Sequence, residues 1–301
     1  MIETLARQIP TISTYKEIVH VTKGFSTDNK FLIKMGDGDK KLFLRLFNLE
    51  ELESKKQEFQ ILEKMKEYQI LCSEPISIGE IEDYGYMITS YIEGKDAEVE
   101  IPKLSYEEQY NIGFEAGMEL KKMHQYKAPN HIPSWYSRKV KKHQRYLDKY
   151  YKCGIKVKND DKIIKFIEEN IPLMKQRPNL FQHDDLTLGN LIVNNNQFAG
   201  VIDFNRYDWG DPIHEFLKIG IFSRGVSIPF SRGQIKGYFD NHEPDESFWR
   251  LYSLYLAMCV FSTVIWTLET IPENLDDMLD KVYTFLEDHD YFSEIKPKWY
   301  I

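Results

Sequence analysis

Apolar positions in the first 92 residues fall in short, β-rich runs. Phe31–Met35 and Lys41–Phe47 (KLFLRLF) are two of them, joined by the Gly/Asp turn GDGDK, and they predict a hairpin. From Glu50 to Tyr68 the residues are strong helix formers with no Gly or Pro, which predicts a helix. Pro75–Gly79 and Tyr86–Ile92 then bracket a second turn, EDYG. Hairpin, helix, hairpin is the pattern of an antiparallel sheet with one helix packed on it. Beyond Glu93-Gly94 the texture changes to long helical segments, at Tyr106–Tyr126, Tyr136–Tyr151 and Asp160–Gln176. One β-rich island interrupts them, Leu191–Val193, then NNNQ, then Phe198–Ile202, a hairpin with a polar turn. With no repeat, low-complexity tract or flexible linker, the expected division is an N-terminal lobe, residues 1–92, and a larger C-terminal lobe, residues 93–301.

Leu251–Leu268 is 18 residues without a charge, near the minimum for a membrane span. It carries Ser253, Ser262, Thr263 and Thr267 and has no polybasic flank, so a buried helix of the larger lobe is expected instead. The N-terminus has no apolar stretch of signal-peptide length. Three scattered cysteines, Cys72, Cys153 and Cys259, offer neither metal spacing nor a disulfide framework, which fits a reducing cytoplasm. The net charge of −8 argues against nucleic acid as the main partner. Charge is also uneven. Residues 121–175 hold 15 basic and 5 acidic residues, and residues 240–301 hold 13 acidic and 4 basic. Both runs read as solvated helix faces; the functional alternatives are a phosphate-attracting flank and a cation-attracting wall.

The strongest chemical signal is Gln182–Asn190, QHDDLTLGN, followed by the hairpin that ends in Ile202-Asp203-Phe204. His183, Asp185 and Asn190 form H-x-D-x-x-x-x-N, and Asp203 follows at the end of a strand. A loop Asp beside a hydroxyl accepts its proton, while an Asn and a second Asp offer oxygen ligands to Mg²⁺. Phosphoryl transfer needs such a set, because charge builds on the γ-phosphoryl oxygens. The short motif alone also suits ordinary turn and cap residues. What distinguishes it is the order: motif, apolar strand, NNN turn, apolar strand, Asp.

HDDLTLGN, VIDF and WGDP (Trp209–Pro212) together resemble the aminoglycoside phosphotransferase and choline-kinase-like family. The resemblance implies a two-lobed, protein-kinase-like α+β fold, with a small antiparallel-sheet N-lobe carrying one main helix and a mostly helical C-lobe. It also implies Asp185 as catalytic base, His183 as a support for the loop, Asn190 and Asp203 as Mg²⁺ ligands, and Asp211 as a structural tie to the following helix. Asp184 departs from the pattern, where the family has Gly. The added carboxylate would raise the Asp185 pKa or join a substrate site.

Arg45, in KLFLRLF, stands where the family places a Lys on the α/β-phosphates, and a planar fork is not a point charge. Its ordinary alternative is a solvent-facing strand position. Glu58 lies four residues before Leu62 and seven before Met65 on one helix face, so it is the expected partner of Arg45; the alternative is a surface Glu at the face boundary. Gly24 and Ser26, in VTKGFSTDNK, would let backbone N–H groups approach nucleotide phosphates, or form a plain turn. Ser90 to Ile92 resembles the inter-lobe hinge whose backbone meets the adenine edge. The expected activity is transfer of the γ-phosphate of ATP or GTP, with Mg²⁺, to a small hydroxylated acceptor. The acidic C-terminal residues (Glu243, Asp245, Glu246, Glu269, Glu273, Asp276, Asp277) point to a cationic, aminoglycoside-type antibiotic. Choline, another amino alcohol or a small metabolite is the alternative acceptor, and a catalytically weak nucleotide-binding protein is the alternative of another class. No membrane partner is expected, and the sequence leaves the oligomeric state open.

Overall fold

Leu5, Ala6, Ile9 and Ile12 are all buried, on a short helix, α1 (Ile2–Gln8), and the 3-10 turn Pro10–Ile12 that follows it. Neither element was expected from the sequence, and neither was the strand after them, β1 (Tyr15–Val21). The computed structural model describes residues 2–22, 27–36 and 39–300, and it divides into two compact units. The first comprises residues 1–94 with 199–205, and the second residues 95–198 with 206–301.

In the first unit, β1 is followed by β2 (Asn29–Met35), β3 (Lys41–Asn48), α2 (Leu52–Glu67), β4 (Pro75–Ile81) and β5 (Tyr84–Ser90). The sheet order is β1-β2-β3-β5-β4, antiparallel throughout. Strand β3 alternates as far as Leu46: Leu42, Leu44 and Leu46 are buried, whereas Arg45 takes the other face, opposite Lys30 on β2 and Met87 on β5. The leucines pack with Ile33, Ile88 and the apolar side of α1 to form the core on one face of the sheet. On α2 the buried positions are Leu52, Lys55, Glu58, Ile61, Leu62 and Met65, a helical stripe with two charges set in it. Residues 199–205 group with this unit although the chain reaches them late. The reason is backbone pairing, since the Val201 N–H donates to the Leu71 carbonyl at 2.8 Å.

The second unit runs β6 (Lys95–Asp96), α3 (Ala97–Glu100), α4 (Tyr106–Met123), α5 (Trp135–Tyr150), α6 (Asp160–Asn170), β7 (Leu180–Gln182) and β8 (Leu191–Asn194). Then come β9 (Gln197–Val201), whose residues from Ala199 on count with the first unit, β10 (Asp208–Gly210), α7 (Arg224–Val226), α8 (Ile228–Tyr238), α9 (Glu246–Thr270) and α10 (Leu275–Asp288). Strands β8 and β9 make the expected hairpin, turned by Asn195 and Asn196 at φ 49° and 60°. Two left-handed residues in a row are what a tight turn between right-twisted strands requires, and Asn tolerates them. Helices α4 and α8 touch backbone to backbone. A Cβ at Gly113 or Gly117 would fall on the carbonyl oxygen of Phe230 or Gln234, and one at Gly233 or Gly237 on that of Tyr110 or Phe114.

Helix α9 is long and apolar enough to cross a membrane, but 78% of its most apolar window is buried inside this unit. Helices α5, α6 and α10 all pack on it. The two charged runs meet here as well. Lys149 pairs with Glu269 at 2.6 Å, Lys121 with Asp240, and the Lys162 ammonium bonds Ser293 Oγ at 2.8 Å. Lys121 and Lys149 of the basic run thus find their counter-charges in the acidic run of the same unit. None of Cys72, Cys153 and Cys259 is joined in a disulfide among the described residues.

Candidate active site

Arg45 leaves β3 with a side chain only 12% exposed and meets carboxylates on two sides. Its Nη1 and Nη2 donate to Glu58 Oε1 and Oε2 at 2.6 and 3.2 Å, and its Nε donates to Asp28 Oδ2 at 2.7 Å. Lys55, one turn before Glu58 on α2, donates to Asp28 Oδ1 and Oδ2 at 3.0 and 2.7 Å. Two cations and two anions thus form one buried chain, which offsets the cost of taking each from water. Burial pushes the Asp28 carboxyl up, but Arg45 and Lys55 outweigh it and hold the group below its ordinary range. Burial likewise pulls the Arg45 guanidinium down, and Glu58 and Asp28 more than reverse this. Three of five guanidinium N–H donors are spent on carboxylates, and no bond from the other two occurs among the described residues.

Asp28 and Lys55 were not anticipated. Lys55 left a signal, a lysine on the same face as Leu52, Glu58 and Leu62. Asp28 left none, because its partners come from another strand and from a helix. Gly24 and Ser26 lie outside the described residues. At the expected hinge, the Ser90 N–H donates to the Glu74 carbonyl at 2.8 Å and the Tyr91 N–H to that of Lys41 at 3.3 Å. Neither N–H is therefore open to a base. The Ile92 N–H makes no backbone hydrogen bond among the described residues.

In the second unit the loop after β7 carries the motif. His183 is fully buried beneath it. Asp184 sits at φ 59°, a left-handed conformation that side chains other than Gly, Asn and Asp take rarely. Glu215, 3% exposed, secures this turn: its Oε2 accepts the Asp184 N–H at 3.1 Å and its Oε1 the Leu186 N–H at 3.4 Å. Burial, with the Asp184 charge beside it, pushes the Glu215 carboxyl up to about 7. Burial also raises Asp184, against the pull of Lys218, Lys142 and Lys139. His214 is held neutral by burial and the same lysines. Lys139, pulled down to about 8 by burial, donates to His214 Nε2 at 2.7 Å, so the imidazole proton sits on Nδ1, 3.7 Å from Asp184 Oδ1. Trp135 and Tyr255 pack edge-on against the same ring at 4.9 and 5.2 Å.

Asp185 itself is fastened at three atoms. Its carbonyl accepts from the Thr187 N–H and from Asn190 Nδ2, both at 2.8 Å. Its Oδ2 lies 3.3 Å from the same Asn190 nitrogen, and its Oδ1 3.3 Å from Lys218 Nζ. The carboxylate opens onto a cleft of about 180 Å³ lined by Glu98, Thr187, Leu188, Gly189 and Phe222 among others. A larger cavity of about 600 Å³, lined by Tyr150, Tyr151, Lys156, Asp161 and Lys165, contains none of these residues. Glu215 and Lys218 were missed by the sequence reading, since no spacing rule links Asp211-Pro212-Ile213-His214-Glu215 to the loop thirty residues earlier.

Asp211 is fully buried and tied at every oxygen. Arg177 Nε and Nη2 reach it at 2.7 and 2.9 Å, the Tyr255 hydroxyl donates at 2.6 Å, and the Ile213 N–H caps at 3.0 Å. Its carbonyl accepts Gln182 Nε2 at 2.6 Å, which anchors the strand that feeds the loop.

The seven acidic residues expected to form a cationic-acceptor wall do not line the cleft. Glu243 pairs with Lys236 at 2.5 Å, Glu246 with Arg250 at 2.6 Å, Glu269 with Lys149, and Asp245 caps α9. Glu273, Asp276 and Asp277 are exposed near the start of α10. Three of the seven thus have counter-charges close by, and none of the seven lines the cleft that Asp185 opens onto.

Asn190 and Asp203, one in each unit, each carry an oxygen of the kind Mg²⁺ takes. Asn190 spends its Nδ2 on Asp185, which leaves Oδ1 as its oxygen donor. Asp203, in the first unit, is exposed at φ 68° and makes no hydrogen bond or ion pair among the described residues. A hard cation takes such oxygens and completes its shell with water and phosphate. No cluster of three His, Cys, Asp or Glu side chains able to hold a metal occurs among the described residues.

An antiparallel five-stranded sheet with an Arg–Glu tie to its helix, followed by a mostly helical unit, is the architecture of the protein-kinase-like phosphotransferases. The chain belongs to the phosphotransferase enzyme family, whose model matches residues 17–252. It is a phosphotransferase with an alcohol group as acceptor. No curated protein matches it by sequence. Among solved structures it is similar to aminoglycoside phosphotransferase APH(2'')-Ib with ADP bound, at 18% identity and TM-score 0.64 over 94% of this chain and 98% of that one. It is similar to the gentamicin complex of APH(2'')-IIa at 19% identity and TM-score 0.64, over 94% of both chains. A thermostable mutant of APH(4)-Ia, in ternary complex with AMP-PNP and hygromycin B, aligns at 12% identity and TM-score 0.69 over 95% and 98%. At these identities the likeness shows the fold.

Proposed function

We propose that this enzyme transfers the γ-phosphate of ATP or GTP to a hydroxyl of an aminoglycoside-type antibiotic in the cytoplasm. The observation that carries the reading is Asp185, a carboxylate gripped at both oxygens by Asn190 and Lys218 and opening onto a cleft. The relatives that bind ADP, AMP-PNP, gentamicin and hygromycin B supply the class of donor and acceptor.

In this scheme the acceptor hydroxyl lies against Asp185, which takes its proton as the oxygen attacks the γ-phosphorus. The bond to the β,γ-bridging oxygen breaks, and the nucleoside diphosphate leaves with the electron pair. Asn190 Oδ1 and the Asp203 carboxylate would hold Mg²⁺, which when bound neutralises charge on the phosphates. Arg45, kept in place by Glu58 and Asp28, turns its two remaining N–H donors to the α/β-phosphates. The Ser90 carbonyl and the Ile92 N–H take the edge of the base. His183 packs under the loop and keeps Asp185 in place.

A small amino alcohol such as choline is the second reading, favoured by the modest size of the cleft and by Glu98 and Phe222 on its wall, a carboxylate and a ring suited to one ammonium group. The test is coupled nucleoside-diphosphate release with Mg²⁺ and ATP or GTP, across aminoglycosides, choline, ethanolamine and small sugars. Stimulation by gentamicin or a relative, abolished in Asp185→Ala, is the expected result. Stimulation by choline alone selects the second reading, and none by any acceptor overturns both.

A further inference from the structure

The loop from His183 to Asn190 contains no lysine or arginine, although phosphoryl transfer builds negative charge beside its Asp. The cation bonded to Asp185 comes instead from another segment. Lys218 lies three residues after Glu215, and the two reach the same short stretch of loop in different ways. Glu215 holds the backbone of Asp184 and Leu186, and Lys218 holds the Asp185 side chain between them, its Nζ 3.3 Å from Oδ1. Both side chains of that pair are mostly shielded from water, at 19% and 25% exposure, so the contact is not a freely solvated surface pair. Asn190 Nδ2 takes Oδ2 at 3.3 Å, so between them they fix the rotation of the carboxylate. Lys218 Nζ is also 5.8 Å from the ring of Phe222, which lines the same cleft as Asp185.

We infer that Lys218 is a positioning residue for Asp185. It orients the carboxylate toward the incoming hydroxyl, holding Oδ1 while Asn190 holds Oδ2. The inference rests on Asp185 being the base, as proposed above. No further reactant is required, since the proton leaves the acceptor oxygen and is bound by Asp185 while the diphosphate carries off the electron pair.

The test compares wild type, Lys218→Met, Lys218→Arg, Asp185→Ala and the Lys218→Met/Asp185→Ala double variant. Rates are measured with Mg²⁺, ATP and gentamicin, or with water as acceptor where gentamicin is not phosphorylated. Lys218→Met should lower kcat about 10- to 100-fold, less than the loss of a donor touching the transition state directly. The KM for ATP should stay within about twofold, since ground-state binding is untouched. Lys218→Arg should recover most of the rate, which a merely misfolded site would not allow. The double variant should be no slower than Asp185→Ala, because a residue acting through Asp185 has nothing left to act on. A Lys218→Met enzyme with wild-type kcat, or a double variant whose losses multiply, overturns the inference while leaving Asp185 as base. A wild type without turnover, or an active Asp185→Ala, overturns the underlying reading instead.

Discussion

Glu58 and Arg45 meet at two points, Nη1 to Oε1 at 2.6 Å and Nη2 to Oε2 at 3.2 Å, with side chains only 5% and 12% exposed. A buried pair broken from one side leaves an uncompensated charge. Glu58→Ala should therefore destabilise the fold by about 3 kcal/mol, the low end of the range for such losses, because Asp28 stays on Arg45. Urea unfolding of the variant measures this. A change below about 1 kcal/mol would mean that the pair behaves as an exposed one.

Asp185→Ala should lower kcat by about 10²–10⁴, the usual contribution of a general base. Binding of Mg-nucleotide, followed by calorimetry, should persist, since the carboxylate that is removed is not one of the proposed metal ligands. Loss of nucleotide affinity in place of turnover would move Asp185 from proton transfer to phosphate binding.

Glu215 makes stability depend on pH in a definite direction. Its carboxyl is raised from the ordinary 4.5 to about 7, so between those values the folded chain holds a proton that the unfolded chain has released. Stability from this group is full below about pH 4.5 and is lost as pH rises through about 7. Asp184, also raised, adds the same sign, whereas Asp28, lowered, acts only in acid below its ordinary 3.8. Glu215→Gln should flatten the decline between pH 5 and 7.5 in denaturant titrations, and an unchanged slope would remove Glu215 as its source.

The paired glycines of α4 and α8 leave no room for a methyl group. Gly117→Ala should cost more than about 2 kcal/mol, because the atom in the way is the backbone carbonyl of Gln234 and not a side chain that could rotate. Gly225→Ala on α7 is the control, with nothing within 4 Å of the added atom, and should be neutral or stabilising by up to about 1 kcal/mol. Thermal unfolding of the two variants should separate them by several degrees; equal melting temperatures would contradict the close approach.

Wherever neighbouring residues set the local conformation, the sequence was sufficient. The hairpins around GDGDK and Asn195-Asn196, the helix that turns Glu58 inward, and the loop carrying Asp185 and Asn190 could all be read from residue type and spacing. Helix α1 and strand β1 could not. Their apolar residues are few, and what holds them is the face of a sheet whose other strands come later in the chain. The acidic C-terminal stretch misled for a related reason: its residues lie away from the cleft, and Lys149, Lys236 and Arg250 pair with three of them, which composition does not record.

The sequence by itself pointed to the class of chemistry, because a motif in fixed order, H-x-D-x-x-x-x-N with Asp203 after the hairpin, is a local, covalent property of the chain. Only the tertiary structure decided which groups serve that set. Lys55 and Asp28 complete the Arg45–Glu58 pair, and Glu215 and Lys218 hold the Asp185 loop. These contacts join residues up to tens of positions apart, and burial makes them matter. A charge withdrawn from water must find its partner in space, and spacing along the chain does not say where that partner is.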